Sequence, residues 1–105
     1  MDLPYNYIVE TSPKFEKELD NIYHYLSYVL DIPNIARSFY FNIIKNVFSL
    51  AYFPQRFLKI PSSNYKNLRK MSFKNFIIIY EVDNYTSKVS ILHIFYNKEN
   101  YFNKL

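Results

Sequence analysis

The chain has 105 residues, of which 50% are hydrophobic and 21% aromatic, so it can form one domain with a hydrophobic core but is short for two domains. It contains no cysteine, which excludes disulfide bridges and thiolate metal sites. No segment offers the roughly 20 apolar residues of a membrane span, and the first residues lack the pattern of a secretion signal, so we expect a cytoplasmic protein.

The net charge of +4 is distributed unevenly along the chain. Residues 1–31 carry six acidic and two basic side chains, residues 32–80 carry eight basic and no acidic ones, and residues 81–105 carry three of each. A basic middle suits a partner rich in phosphates or carboxylates, because it attracts the partner and releases its counterions. It also suits a merely solvated surface, so the charge pattern leaves both interpretations open.

The first part of the chain predicts a strand followed by a helix. Residues 5–11 alternate in polarity and are rich in β-formers, which is typical of a strand. Ser12 and Pro13 then supply an N-cap and a proline at the first helical position. Apolar residues recur at helical spacing after them, so we expect a first helix over residues 13–30.

A second helix is predicted over residues 34–52, where another apolar stripe runs as far as Phe53 and Pro54. The residue before a proline is disfavoured in a helix, so the pattern ends there. Because the link around Pro33 is short, we expect the two helices to lie antiparallel.

The rest of the chain is predicted to form a sheet. After loop signals within residues 55–64, three β-rich segments are separated by short polar connections, and they cover residues 65–71, 75–82 and 88–96. In the last two segments both alternate sets are largely apolar, which is typical of central strands. We therefore expect an α+β fold, with an N-terminal strand and an antiparallel helical hairpin packed on a twisted, mainly antiparallel sheet of about four strands.

Four stretches carry a more specific pattern: FEKELDNIYHYL, IPNIARSFYFNIIKNVFSLAYFPQRF, LRKMSFKNFIIIYEVD and VSILHIFYNKENYF. They combine an acidic first helix, a second helix ending in Leu-x-x-Phe-Pro, a Leu-Arg-Lys stretch and an aromatic-aliphatic run that closes on tyrosine. In these features the chain resembles the RelE/ParE superfamily of toxins from type II toxin–antitoxin systems, over nearly its whole length. The segments from Leu50 to Pro54 and from Leu68 to Tyr80 are the most diagnostic.

The resemblance implies a growth-inhibiting protein that is held inactive by a cognate antitoxin encoded by an adjacent gene. Members of the RelE branch are mRNA endonucleases that act on the ribosome, whereas members of the ParE branch inhibit DNA gyrase by binding it. The target implied is therefore DNA gyrase or the ribosome with its mRNA. A third possibility is an interaction module that keeps the fold without toxicity.

The resemblance also indicates candidate site residues. RNA cleavage by the ribose 2′-hydroxyl needs a base, an acid and cations. The candidates for these roles are Arg69, Lys70, Tyr96, Lys98 and Tyr101. The candidates for binding the target or the antitoxin are Lys66, Arg69, Lys70 and Lys74.

Departures from the nuclease pattern favour one branch over the other. Ile77 lies where nuclease members often place an arginine, and their usual histidine or arginine near Tyr96 and Asn97 is also missing. An apolar residue at position 77 is more like the ParE branch. We therefore expect inhibition of gyrase, with mRNA cleavage as the alternative.

Structural roles are also open to the same residues. Arg69 and Lys70 on an edge strand would deter pairing with other sheets. Tyr96 and Tyr101 can serve to close the core. For His93 we expect a buried, hydrogen-bonded imidazole rather than a general base, because it follows an apolar strand pattern.

Metal and cofactor sites are not expected. The chain has no cysteine and only two histidines, which are far apart in the sequence. We expect His24 at the surface of the first helix. The resemblance implies no cofactor.

Overall fold

The computed structural model describes residues 7–97. The regular elements are β1 (Ile8–Thr11), α1 (Pro13–His24), α2 (Pro33–Phe48), β2 (Leu58–Ile60), β3 (Leu68–Phe73), β4 (Phe76–Asp83) and β5 (Lys88–Tyr96). A π-helical turn (Tyr25–Val29) follows α1, and two 3₁₀ turns (Ser49–Ala51 and Pro54–Arg56) lie between α2 and β2. Within residues 7–97, no helix is long and apolar enough to cross a membrane.

The strands form one mixed sheet in the order β1-β5-β4-β3-β2. β1 runs parallel to β5, and all other neighbouring strands are antiparallel. The predicted α+β class and the three-strand meander are confirmed. The sheet has one strand more than expected, because Leu58–Ile60, within the predicted loop, pairs with β3.

The added strand changes the position of β3 in the sheet. β2 pairs with residues 68–70 on one side, and β4 pairs with the whole of β3 on the other. The expectation that Arg69 and Lys70 lie on an edge strand is therefore wrong. Their charges do not protect an open edge, since β2 already covers it.

The two helices differ from their predicted lengths mainly at their C-terminal ends. The Ser12 hydroxyl accepts a hydrogen bond from the backbone N–H of Phe15 at 3.0 Å, so the predicted N-cap of α1 is confirmed. α1 ends at His24 and widens into the π-helical turn, where the N–H of Leu30 donates to the carbonyl of Tyr25. α2 ends at Phe48 and tightens into the first 3₁₀ turn.

Apolar side chains are buried on both faces of the sheet. The larger cluster lies between the helices and the sheet and includes Phe15, Ile43 and Tyr80. The smaller cluster, on the other face, consists of Ile60, Leu68, Ile77, Ile79 and Phe95. Because residues 77–80 are all buried, the prediction that β4 is a central strand is confirmed.

Side chains of the first helical segment close the free part of β5. β1 pairs with β5 only as far as Ile91. Beyond it, the Ser12 hydroxyl donates to the carbonyl of Leu92 at 3.0 Å, and the Glu18 carboxylate accepts from the N–H of Ile94 at 3.1 Å. These contacts fix α1 against the sheet and satisfy backbone groups that the short β1 leaves unpaired.

Candidate partner interface

The four basic candidates of the sequence analysis do not converge on one point. Arg69 and Lys70 are consecutive residues of β3, so their side chains leave the sheet on opposite faces. Lys66 and Lys74 lie beyond the two ends of β3, whose six residues span about 20 Å. A single phosphate or carboxylate cannot therefore contact all four.

Arg69 is bound to the protein itself. Its Nη1 donates to the carbonyls of Gln55 at 3.0 Å and Phe57 at 2.7 Å, and its Nε donates to Oδ1 of Asn67 at 2.9 Å. Hydrogen bonds from a guanidinium are stronger than neutral ones, so the contact holds the segment before β2 against the sheet. Any partner of Arg69 competes with these bonds.

A second arginine holds the same segment from the other end. Arg56 Nη1 donates to the carbonyls of Tyr52 and Phe53, and its Nη2 donates to the hydroxyl of Ser49 at 3.0 Å. These acceptors lie at and just beyond the C-terminus of α2, where carbonyls lack helical partners. We call residues 49–57 the arginine-held loop, because Arg56 and Arg69 bind five of its residues.

The loop is also tied to the core, and it contains a strained residue. The buried Tyr80 hydroxyl donates to the carbonyl of Pro54 at 2.6 Å, and burial raises the pKa of this phenol although Arg69 and Arg56 act in the opposite direction. Phe53 has φ 48° and ψ 57°, the left-handed conformation. For a bulky residue this costs about 1–2 kcal/mol, so the surrounding bonds must hold it.

Lys74 and Lys66 lie in different surroundings. Lys74 is exposed in the β3–β4 turn with φ 53°, and its Nζ lies 5.7 Å from the centre of the Phe73 ring. Lys66 is exposed beside a depression of about 270 Å³ that is also lined by Glu81 and Asp83. Lys74 thus lies at an apolar surface, whereas Lys66 lies among acids.

The C-terminal candidates are only partly covered by the structure. Tyr96 ends β5, is 40% exposed, and packs edge-on against Phe76 with ring centres 5.7 Å apart. Lys98 and Tyr101 lie outside the described residues. Of the three C-terminal candidates, only Tyr96 can therefore be placed.

Phe76 and Tyr96 form one wall of an apolar groove that the sequence analysis missed. The groove has a volume of about 620 Å³, and its other wall is the end of α1 with the π-helical turn. Its apolar and aromatic lining consists of Ile22, Tyr25, Leu26, Leu30, Phe76 and Tyr96. The signal was present in the sequence, because residues 22–30 are apolar on more than one helical face, which exceeds what a core stripe requires.

Position 77, where the resemblance to nucleases would lead us to expect an arginine, lies in the core. Ile77 is 5% exposed, and the register places it opposite Ser72 of β3 and Phe95 of β5. It belongs to the smaller apolar cluster. Position 77 therefore supplies packing and offers no charge to a substrate.

Both histidines have surroundings close to those expected: His93 is hydrogen-bonded and partly buried, and His24 lies at the surface. His93 Nδ1 lies 3.3 Å from Glu18 Oε1, and the two side chains are 15% and 19% exposed. The imidazole also stacks on Phe95, with ring centres 5.0 Å apart. His24 is exposed on α1.

Two further observations limit the chemistry of this surface. Within residues 7–97 there is no group of three or more His, Asp and Glu side chains that could hold a metal ion. The Asp83 carboxylate accepts from the N–H groups of Tyr85 and Thr86, which lowers its pKa. Asp83 is therefore held as a charged acceptor within the β4–β5 turn.

Comparisons with known proteins agree with this fold. A family model described as "ParE toxin of type II toxin-antitoxin system, parDE" matches residues 9–101. A chain of the chromosomal ParDE toxin–antitoxin system from P. aeruginosa is 23% identical, with 88% of this chain and 97% of that chain covered and a TM-score of 0.69. A chain of the toxin–antitoxin complex RelBE2 from Mycobacterium tuberculosis is 16% identical, with 90% and 99% covered and a TM-score of 0.62. The comparison with curated proteins found no match.

Proposed function

The chain belongs to the ParE toxin family of type II toxin–antitoxin systems, and we propose that it inhibits growth by binding DNA gyrase in the cytoplasm. The family match covers residues 9–101, so the resemblance to the RelE/ParE superfamily is confirmed. In this proposal the toxin acts by binding its target and needs no catalytic group. A cognate antitoxin, encoded by an adjacent gene, holds it inactive.

The burial of Ile77 is the observation that carries the choice of gyrase. Cleavage of RNA through the 2′-hydroxyl needs cations aimed at the developing phosphorane charge. Ile77 lies in the core, and Arg69 is engaged by the carbonyls of Gln55 and Phe57. Both observations support a binding function over a nuclease.

Two parallel assays of the purified protein test the target. In a gyrase supercoiling reaction we expect loss of supercoiled product as the protein concentration rises. In a ribosome-programmed translation mixture we expect intact mRNA at the same concentrations. Addition of the purified antitoxin should restore supercoiling, which shows that the inhibition comes from the toxin.

The opposite pattern would support the mRNA endonuclease. That pattern is codon-positioned cuts in the translation mixture without an effect on gyrase. The cuts should then disappear in Tyr96→Phe, which removes a hydroxyl but keeps the ring against Phe76. Absence of both effects, together with normal growth under strong induction of the folded protein, would support a non-toxic interaction module.

The apolar groove is the proposed binding site of the antitoxin. A segment with aliphatic side chains would fill its 620 Å³, and acidic side chains of the same segment would lie near Lys74, which follows Phe73, the residue paired with Phe76. Apolar contact would supply most of the affinity, since few polar atoms line the groove. The charges would set the orientation of the segment and speed its association.

A matched pair of variants tests this binding site. Leu30→Asp places a charge in the groove at a residue that is already 48% exposed, and we expect it to weaken antitoxin binding at least tenfold by calorimetry. Ile35→Asp makes the same kind of change on α2, outside the groove lining, at a residue that is 58% exposed. Equal losses in the two variants would argue against the groove.

A further inference from the structure

The exposed side of α2 carries an alternation of cations and aromatic rings. Its members are spaced by four, four, three and four residues and therefore lie on one face of the helix and of the turn that follows. All are exposed, and we call them the aromatic-basic stripe: Arg37, Phe41, Lys45, Phe48 and Tyr52. The aromatic members are 68%, 50% and 55% exposed in chain order. A helix whose only task is to cover the sheet has no need of large rings on this side.

The arginine-held loop extends the stripe beyond the end of the helix. Phe53 follows Tyr52 and is 58% exposed, although its left-handed backbone conformation is disfavoured for a bulky residue. Arg56, Arg69 and Tyr80 all donate hydrogen bonds to carbonyls of this loop. Three side chains thus fix the backbone around Phe53, so its exposed ring is preorganised for contact with a partner.

The other end of the stripe borders a depression between the helices. It has a volume of about 440 Å³, and Arg37 and Phe41 line it together with Asp20, Tyr23, Tyr40 and Ile44. It is large enough to receive a side chain from a partner. The stripe therefore has a depression at one end and a fixed ring at the other.

Charge identifies the chemistry of the partner. No acidic residue occurs between positions 32 and 80, so the stripe and the loop present cations only. A second copy of α2 would repel this surface, whereas carboxylates would be attracted to it. From Arg37 to Phe48 the helix rises about 16 Å, the length of about three helical turns in a partner.

We propose that the aromatic-basic stripe and Phe53 form a docking surface for an acidic amphipathic helix of the protein that the toxin inhibits. Its carboxylates pair with Arg37 and Lys45, and its apolar side chains lie between Phe41 and Phe48. The assignment to the inhibited protein rests on the proposed function. The surface is distinct from the apolar groove, because no residue is common to the two.

Synthetic peptides test the surface independently of toxicity. The probe is an amphipathic helical peptide of about 15 residues, with leucine on one face and glutamate on the flanks, compared with a twin that carries lysine for every glutamate. Titrated into the full-length protein and followed by backbone NMR, the acidic peptide should shift amides of α2 and bind at least tenfold more tightly than its twin. Lys45→Glu and Phe48→Ser should each weaken it about tenfold. Lys17→Glu, the same charge change on an exposed residue of α1, should leave it unchanged.

A third variant separates binding from stability. Asparagine tolerates the left-handed conformation, so Phe53→Asn should melt no lower than the wild type. Its affinity for the acidic peptide should nevertheless fall at least fivefold. An unchanged affinity would mean that Phe53 contributes only to folding, and that the arginine-held loop is not part of the docking surface.

The proposal is overturned by several distinct results. These are peptide shifts confined to the apolar groove, preference for the lysine twin, self-association that Phe48→Ser abolishes, or tighter binding of the stripe to phosphatidylglycerol vesicles or to single-stranded oligonucleotides. Growth assays then test the toxin function separately from the docking surface. A wild-type protein that binds the acidic peptide without inhibiting growth keeps the surface and refutes the toxin function. Lys45→Glu and Phe48→Ser proteins that still inhibit growth refute the assignment to the inhibited protein. The same assignment is refuted if these variants lose as much affinity for the antitoxin as for the acidic peptide.

Discussion

Tyr80 is the largest of the fully buried side chains within residues 7–97, and its one polar atom has a defined partner. The hydroxyl donates to the carbonyl of Pro54 at 2.6 Å and thus links β4 to the arginine-held loop. Burial raises the pKa of Tyr80, so the phenol stays neutral throughout the physiological range. Its contribution is therefore a neutral hydrogen bond together with apolar packing.

Removal of this hydroxyl should destabilise the protein measurably. Tyr80→Phe keeps the ring but leaves the buried carbonyl of Pro54 without its donor, which costs about 1–3 kcal/mol. Urea denaturation followed by circular dichroism measures the loss. Tyr85→Phe removes the same atom from a fully exposed residue and should leave the midpoint unchanged. Equal midpoints for wild type and Tyr80→Phe would contradict the role given to the hydroxyl.

Asp83 gives the stability a defined dependence on pH. Its pKa is lowered because the N–H groups of Tyr85 and Thr86 donate to the carboxylate, so the charged form stabilises the folded turn. This contribution is present above the unfolded pKa and is lost as the pH falls through the lower folded pKa. Asp83→Asn should therefore be less stable than wild type at neutral pH, and the difference should close as the pH falls through the lowered pKa of Asp83. Urea midpoints across this range test it, and a difference that persists in acid would point to lost geometry instead of charge.

At the scale of elements, one carboxylate makes two contacts at the junction of α1 with β5. Glu18 accepts from the N–H of Ile94 at 3.1 Å and lies 3.3 Å from His93 Nδ1. β1 is too short to pair with this part of β5. The Glu18 side chain therefore accepts a hydrogen bond that a longer β1 could have accepted. The same contact fixes α1, whose end forms one wall of the apolar groove.

Two substitutions of Glu18 should separate its acceptor role from its charge. Glu18→Ala leaves the N–H of Ile94 without a partner and should cost about 1–3 kcal/mol in the free energy of unfolding. Glu18→Gln keeps an oxygen acceptor and should lose less than half as much. Hydrogen exchange at Ile94 checks the mechanism, because protection should fall in the alanine variant and remain in the glutamine variant. Equal exchange in both variants would mean that another group protects this amide.

At the scale of the whole molecule, charge and apolar surface follow the architecture. The acidic residues 1–31 include α1 and its π-helical turn, whereas the basic residues 32–80 include α2, β2 and β3. Exposed aromatic and aliphatic side chains are concentrated on the helical segments and the arginine-held loop. Acidic and basic side chains are therefore carried largely by different elements.

The basic charge of residues 32–80 should affect the kinetics of antitoxin binding. We expect the association rate constant to fall about tenfold from about 50 to about 500 mM NaCl, while the dissociation rate constant changes little. Replacement of Lys70 and Lys74 by glutamine should reduce this salt dependence. Replacement of Lys14 and Lys17, which removes the same charge from α1, should not. Surface plasmon resonance measures both constants, and identical salt slopes in the two double variants would show that only net charge matters.

Much of the fold could be predicted because its signals are local. The N-cap at Ser12 and the apolar runs of β4 and β5 depend on neighbouring residues, and the structure confirms them. The end of the second helix was predicted too late, because α2 ends at Phe48 and continues only as a 3₁₀ turn to Ala51. The three-residue β2 was missed because its pairing with β3 is a long-range contact with no strong local pattern. For the same reason the sequence did not predict the junction of Glu18 with His93 and Ile94.

Features of the candidate site were likewise predictable only where they depend on the sequence alone. The sequence by itself determined the family resemblance, the basic middle and the apolar nature of position 77, because composition and motif are properties of the chain. Tertiary structure decided that Arg69 binds loop carbonyls while Lys70 lies on the opposite face, and that Leu30 lines a groove instead of the core. The physical reason is that a side chain acts through what surrounds it, and most of what surrounds these residues comes from distant parts of the sequence.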